Sequence, residues 1–260
     1  MDVLGEKVEQ GVVEQRFDLR VDGDTVPGIR WNPEGATGPR PTILIGHGGT
    51  QHKRVPNVLG LARRFVRHLG YSVVALDALG HGDRITDPEL AERRRRAIEA
   101  RIAAGPDAER VDLGPDEARE WVGRTTKGMA EWRALLDALG EQGHGPRYGY
   151  WGVSMGTAIG LPFVASEPRV GAAVLGLAGL GNRPGAERFE EAARGLTIPV
   201  LLVLQWNDEL VSQRSGLALF DAIGSDEKTV HINPGGHVQI PLFERDAYEA
   251  FFLRHLGPAG

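Results

Sequence analysis

Residues 148–156 read Tyr148-Gly149-Tyr150-Trp151-Gly152-Val153-Ser154-Met155-Gly156, an aromatic, strand-forming run that leads straight into glycine, serine and glycine. The run that follows, from Met155 to Ala165, is helix-compatible. A serine at a strand-to-helix corner takes a strained backbone conformation that lifts its hydroxyl above the sheet. The first N–H groups of the new helix have no partners within it and aim at whatever binds there. Glycines at 152 and 156 let strand and helix approach closely. The corner also has a plain reading, a Gly-Ser turn that merely ends a strand. The sequence on either side decides between the two.

Working outward, the segments PTILIG, YSVVALDAL, RVGAAVLGLAG, PVLLVLQW and KTVHINP are short apolar runs rather than alternating ones. Strands buried on both faces read this way. Helical patterns lie between most of them, over 59–69, 129–139, 157–165 and 213–223. Strand–helix alternation of this kind builds right-handed crossovers. The expected fold class is therefore α/β, a mostly parallel twisted sheet with helices on both faces. Ahead of these units, Phe17, Leu19 and Val21 share one face of a strand, and Asp22-Gly23-Asp24 turns it back through Val26 to Trp31 as an antiparallel hairpin. One charged segment interrupts the rhythm. Residues 84–126 are expected to form a helical insertion after the fourth strand, a candidate lid on a single domain spanning 1–260. Asp87 suits its first N-cap, Pro88 the first helical position, and Leu90, Ile98 and Ile102 an apolar stripe. A second helix is expected to start near Pro115.

Composition narrows the chemistry. The net charge of −5 includes no clustered basic excess, so nucleic acid is not an expected partner. With no cysteine, disulfides, thiolate metal sites and a cysteine nucleophile are excluded together. The polar, acidic start MDVLGEKVEQ shows no basic segment leading into an apolar one, and no apolar run reaches the length of a membrane span. The expectation is a cytoplasmic protein, monomer or homodimer, that needs no cofactor or metal and does not engage a membrane. His47, His52, Asp77, His81 and Asp83 lack the helical spacing of a zinc motif. Arg93 to Arg96 read as a solvated helix face with local ion pairs.

A free serine hydroxyl is a poor nucleophile until a base takes its proton. Of eight histidines, His237 stands on the glycine-rich loop His231-Ile232-Asn233-Pro234-Gly235-Gly236-His237, directly after the last buried strand, where it can reach the sheet edge that carries Ser154. Asp208 is the first carboxylate after the strand PVLLVLQW and can orient that imidazole. The turn His47-Gly48-Gly49-Thr50 brings side-chain-free backbone to the same edge. An N–H of Gly49 (or Gly48) with that of Met155 would bind an oxyanion. Trp121, Trp132 and Trp206 are candidates to line a substrate pocket, although aromatics at helical spacing more often belong to a core.

With these pieces in the order Ser154, Asp208, His237, the chain resembles the α/β-hydrolase superfamily from the hairpin near Phe17 to the last helix near His255. The resemblance rests on His47-Gly48-Gly49, Gly152-Val153-Ser154-Met155-Gly156, Asp208-Glu209-Leu210-Val211 and Gly235-Gly236-His237. Asp77 to Arg84 is similar to the family's loop after the fourth strand, with His81 structural. The layout is similar to dienelactone-hydrolase-like proteins, which resemble a cysteine version of this site; serine at the corner favours a serine esterase acting on a small-molecule ester. The resemblance implies Ser154 as nucleophile, His237 as general acid and base, Asp208 as its partner, and Gly49 with Met155 as oxyanion hole. Thioesterases, acyltransferases, C–C hydrolases and peptidases use the same three groups, and non-catalytic relatives of the fold act as binding modules, so these readings stay open at the level of sequence.

Overall fold

The computed structural model describes residues 1–105, 115–145, 147–181 and 185–259. Among them, nine strands form one sheet. They are β1 (Asp2–Glu9), β2 (Val12–Val21), β3 (Asp24–Pro33), β4 (Thr42–Gly46), β5 (Ser72–Leu76), β6 (Tyr148–Val153), β7 (Val170–Gly176), β8 (Val200–Gln205) and β9 (Lys228–Asn233). Their spatial order is β1-β2-β3-β5-β4-β6-β7-β8-β9. β1 to β3 are antiparallel, β3 meets β5 antiparallel, and every pairing from β5 to β9 is parallel. The β2–β3 hairpin closes through Asp22 and Gly23 at φ 48° and 85°, the left-handed pair a tight two-residue turn demands.

The helices are α1 (Pro56–Leu69), α2 (Pro88–Ala104), α3 (Pro115–Glu141), α4 (Met155–Ala165), α5 (Ala186–Arg194), α6 (Gln213–Ala222) and α7 (Glu244–Leu256). Strand side chains alternate between two cores, as period-two geometry requires. Leu44, Tyr150, Leu175 and Leu202 join residues of α3 to α6. Ile43, Ile45, Trp151, Val174 and Val203 join Phe65 of α1 and Phe252 of α7 on the opposite face. The sheet is thus covered on both sides, and the loops at the carboxyl ends of β4, β6, β8 and β9 share one edge.

Three features differ from the sequence reading. β1 is an extra edge strand, so the insertion follows the fifth strand in chain order. Its residues are almost all exposed, and a strand with no buried face carries little apolar signal. α5 is a short helix that the sequence reading does not name. α3 runs unbroken across residue 126, joining the insertion's second helix to the core helix around Trp132. Within the insertion, Asp87 caps α2 by accepting the Leu90 N–H at 2.9 Å, and Pro88 occupies the first turn. Residues 106–114 of the expected insertion lie outside the described residues.

Candidate active site

β6 delivers Ser154 to the sheet edge. Its N–H donates to the Gly176 carbonyl at 2.8 Å, and its own carbonyl accepts from Ala158 at 3.0 Å, so the residue closes the strand and opens α4 at once. Both demands are met only at φ 56° and ψ −117°, a conformation L-residues adopt at a cost. The neighbouring glycines make room for it. A Cβ on Gly156 would stand 2.3 Å from the Gly46 carbonyl oxygen, and one on Gly152 would stand 2.9 Å from the Gly156 carbonyl. The Tyr150 hydroxyl, wholly buried, donates to the Gly156 carbonyl at 2.8 Å. Thr157 Oγ1 accepts the Gly176 N–H at 2.8 Å and pins α4 to β7.

The loops after β8 and β9 bring the other two groups to this corner. Trp206 N–H donates to the Asn233 carbonyl at 2.7 Å and Asn207 N–H to that of Gly235 at 3.0 Å, joining the two loops by their backbones. Asp208 is buried, and its Oδ1 accepts the N–H groups of Leu210 and Val211, both at 2.8 Å. His237 Nδ1 lies 2.8 Å from Asp208 Oδ2, and His237 Nε2 lies 2.9 Å from Ser154 Oγ. A proton held on Nδ1 by the carboxylate leaves Nε2 as an acceptor aimed at the serine hydroxyl. Glu209, to which sequence reading gave no role, fixes the loop: its Oε2 accepts the His237 N–H at 2.8 Å. Glycine at 236 is what permits this, because a Cβ there would stand 2.2 Å from the Glu209 carboxylate.

On the other side of Ser154, the loop after β4 carries Gly49 against the start of α4. A Cβ on Gly49 would lie 3.9 Å from Met155 Cβ. The Gly48 N–H donates to Gln51 Oε1 at 3.3 Å. His47 braces the loop from beneath. Its Nδ1 donates to the Gly48 carbonyl at 2.8 Å and its Nε2 accepts the Ala78 N–H at 3.0 Å, which defines a neutral ring. Burial, above all, holds its pKa down to about 4. The His81 ring lies tilted beside it, centroids 5.3 Å apart, itself held below the usual histidine value chiefly by burial. Asp77 takes Lys53 Nζ at 2.5 Å and the N–H groups of Lys53 and Asp83, both at 2.9 Å. These four His and Asp residues therefore brace the loops after β4 and β5, and His52 Nδ1 accepts the Arg54 N–H at 3.2 Å. Among the described residues, no group of three or more His, Asp or Glu is placed to hold a metal ion.

Ser154 and His237 open into a cavity of about 330 Å³. Ile98 and Ile102 of α2 close it from above, and Leu210, Val238 and Leu242 form its apolar mouth. Its inner wall is Leu61 of α1, Trp151 of β6 and Tyr248 of α7. Here the tryptophan expectation is corrected, because none of Trp121, Trp132 and Trp206 lines this cavity. Trp132 is a core residue between Tyr150 and Phe163, at ring separations of 5.8 and 6.2 Å, on the far face of the sheet. Trp121 packs half-buried against that same core, and Trp206 is 55% exposed beyond β8. Trp151 lines the cavity because strand alternation sends it opposite to Tyr150. Counting by twos from Ser154 along the strand would have separated the two residues, but not said which face held the cavity.

The insertion's basic run behaves as a solvated face. Arg94 pairs with Glu120 at 3.0 Å, Arg95 with Glu92 at 2.8 Å and Arg96 with Glu92 at 2.7 Å. Among the described residues, no helix is long and apolar enough to cross a membrane.

A mostly parallel sheet with a strained serine corner and acid and histidine loops at its carboxyl edge is the architecture of an α/β-hydrolase. No family model and no curated protein sequence matches the chain; solved structures do. A cold-adapted esterase from an Arctic intertidal metagenomic library, in a polyethylene glycol complex, is 36% identical, with a TM-score of 0.79 over 98% of this chain and 100% of that one. Acetyl xylan esterase 1 from Thermoanaerobacterium sp. shares the fold at 18% identity and a TM-score of 0.68, over 98% of this chain and 88% of that one. A dienelactone hydrolase from Anabaena variabilis does so at 18% identity and 0.63, over 95% and 100%. The chain belongs to the carboxylic ester hydrolases of the α/β-hydrolase superfamily.

Proposed function

We propose that Ser154, His237 and Asp208 form the catalytic triad of a serine esterase that cleaves small carboxylic esters through an acyl-enzyme, with the amides of Gly49 and Met155 as its oxyanion hole. The observation that carries this reading is the continuous hydrogen-bonded line from Ser154 Oγ through both imidazole nitrogens to Asp208, opening on a cavity of small-molecule size. His237 Nε2 takes the proton from Ser154 as Oγ attacks the ester carbonyl carbon. The imidazolium is balanced by the Asp208 carboxylate, and the tetrahedral oxyanion receives the two amides. Collapse of the tetrahedral species expels the alcohol, which leaves with the proton from Nε2. Water then repeats the sequence on the acyl-enzyme, releasing the acid and restoring the serine hydroxyl. In this reading residues 1–260 form one catalytic domain, and α2 is the lid of its cavity.

Ser154→Ala tests the assignment. With short p-nitrophenyl esters, kcat should fall by about 10⁴-fold or more while thermal melting is retained. A fluorophosphonate probe should label the parent protein and not the variant. Unchanged turnover in the variant ends the reading.

A further inference from the structure

The cavity lining carries a half-buried cation that the triad chemistry does not use. Arg245, in the first turn of α7, lines the cavity beside Tyr248 and Leu61. Its guanidinium lies against α1, 3.7 Å from where a Cβ on Gly60 would stand. Among the described residues it makes no side-chain hydrogen bond or ion pair, although α7 carries three acids close to it in sequence. Each of these is committed elsewhere. Glu244 is buried, 2.9 Å from His231 Nδ1 and 2.8 Å from Asn233 Nδ2. Asp246 and Glu249 are both held by Arg64, and Glu249 also lies 3.0 Å from His68. Glu99 of α2 also lines the cavity, but its carboxylate is taken by Arg95.

Trp151 and Tyr248 are both buried, and the Trp151 side chain lies within hydrogen-bonding reach of the Tyr248 hydroxyl. Their rings meet edge-on at 6.0 Å. Asn57 Nδ2, also in the lining, is only loosely occupied, 3.4 Å from Gln51 Oε1. Trp151 of β6 precedes Ser154 by three residues, so their Cα atoms stand roughly 10 Å apart at the ordinary strand rise.

We propose that Arg245, with Tyr248 and Trp151 beside it, is a specificity-determining subsite for a carboxylate at the far end of the substrate, so that the preferred esters are half-esters of short dicarboxylic acids. This rests on the serine-esterase reading and names the substrate class for the same site. The guanidinium presents a planar fork that a carboxylate matches with two hydrogen bonds. The ring faces and the apolar mouth accommodate the methylenes between carboxylate and ester. The acid released by turnover would carry two carboxylates, and the reaction that supplies the substrate would be one that esterifies a single end of a diacid.

The test compares mono-p-nitrophenyl esters of succinic, glutaric and adipic acid with p-nitrophenyl esters of fatty acids of equal chain length. The parent enzyme should prefer at least one half-ester by kcat/KM. Arg245→Gln should lower the ratio of kcat/KM for that half-ester over its fatty counterpart by roughly 10- to 100-fold. Arg245→Glu should invert the preference toward p-nitrophenyl 4-aminobutyrate. A parent enzyme that favours the fatty esters throughout overturns the proposal, as does an Arg245→Gln variant in which the ratio does not move. Either result leaves the triad standing if Ser154→Ala is inert, whereas activity surviving in Ser154→Ala brings down the esterase reading itself.

Discussion

Ser154 holds a backbone conformation that costs about 1–3 kcal/mol for a non-glycine residue, and the residues around it keep it there. The fit is close enough that one methyl group should break it. A Cβ on Gly156 would meet the Gly46 carbonyl oxygen at 2.3 Å, and that oxygen belongs to a central strand which cannot rotate away. Gly156→Ala is therefore expected to destabilise the protein by roughly 3 kcal/mol and to disturb the serine, so that melting temperature and esterase rate fall together. The same change at Gly123, exposed in the middle of α3 with nothing within 4 Å, should do the opposite. There the methyl only removes the helix penalty of glycine, for a gain of about 0.5–1 kcal/mol. Parallel thermal melts of the two variants, with activity on one short ester, give the comparison.

At the scale of elements, α2 contributes no fully buried residue, yet Ile98 and Ile102 reach over the cavity. An element that covers a site while adding little to the core can move without unfolding the rest. Changing Ile98 and Ile102 together to Ser should raise KM for p-nitrophenyl hexanoate by roughly tenfold, since each loses apolar contact worth about 1–2 kcal/mol at most. The melting temperature should shift by only a few degrees. A collapsed melting temperature with unchanged KM would instead make α2 part of the core. The elements differ in how plainly the sequence shows them. β6, Ser154 and α4 are legible because buried strand, glycine pair and helix follow one another within a few residues. The loops holding Asp208 and His237 are legible as the first acid and the glycine-flanked histidine after buried strands. β1 is not legible because both its faces are wet, and the wall of the cavity is not because an aromatic residue reads alike in a core and in a pocket. Only the sheet's three-dimensional parity separates Trp151 from Trp132.

Over the whole molecule, the buried histidines and the paired carboxylates weaken the fold in acid, in two windows. Burial lowers the pKa of His47 to about 4 and also lowers those of His81, His144 and His255. A histidine whose folded pKa lies below its unfolded value near 6.5 is protonated first in the unfolded chain. The unfolded state then binds more protons, so stability is full above about 6.5 and declines as pH falls toward the folded pKa. For His47 that window runs from about 6.5 to about 4. Carboxylates act later. Asp83, hydrogen-bonded by Lys53, and Glu167, hydrogen-bonded by Arg169, have pKa values below the ordinary range, and their contribution is lost only as pH falls below about 4.5. Denaturant unfolding at pH 8, 6.5, 5.5 and 4.5 should therefore show stability flat at first and then falling, by up to about 1.4 kcal/mol per pH unit for each neutral buried histidine. His47→Gln should be less stable at pH 8, because the amide replaces the ring's two hydrogen bonds imperfectly, and its stability should fall less steeply between pH 6.5 and 4.5. Because His47 braces the loop that carries Gly49, esterase activity at pH 8 should decline in the same variant. An unaltered slope with lowered activity would assign the acid sensitivity to the other histidines and leave His47 as a brace alone.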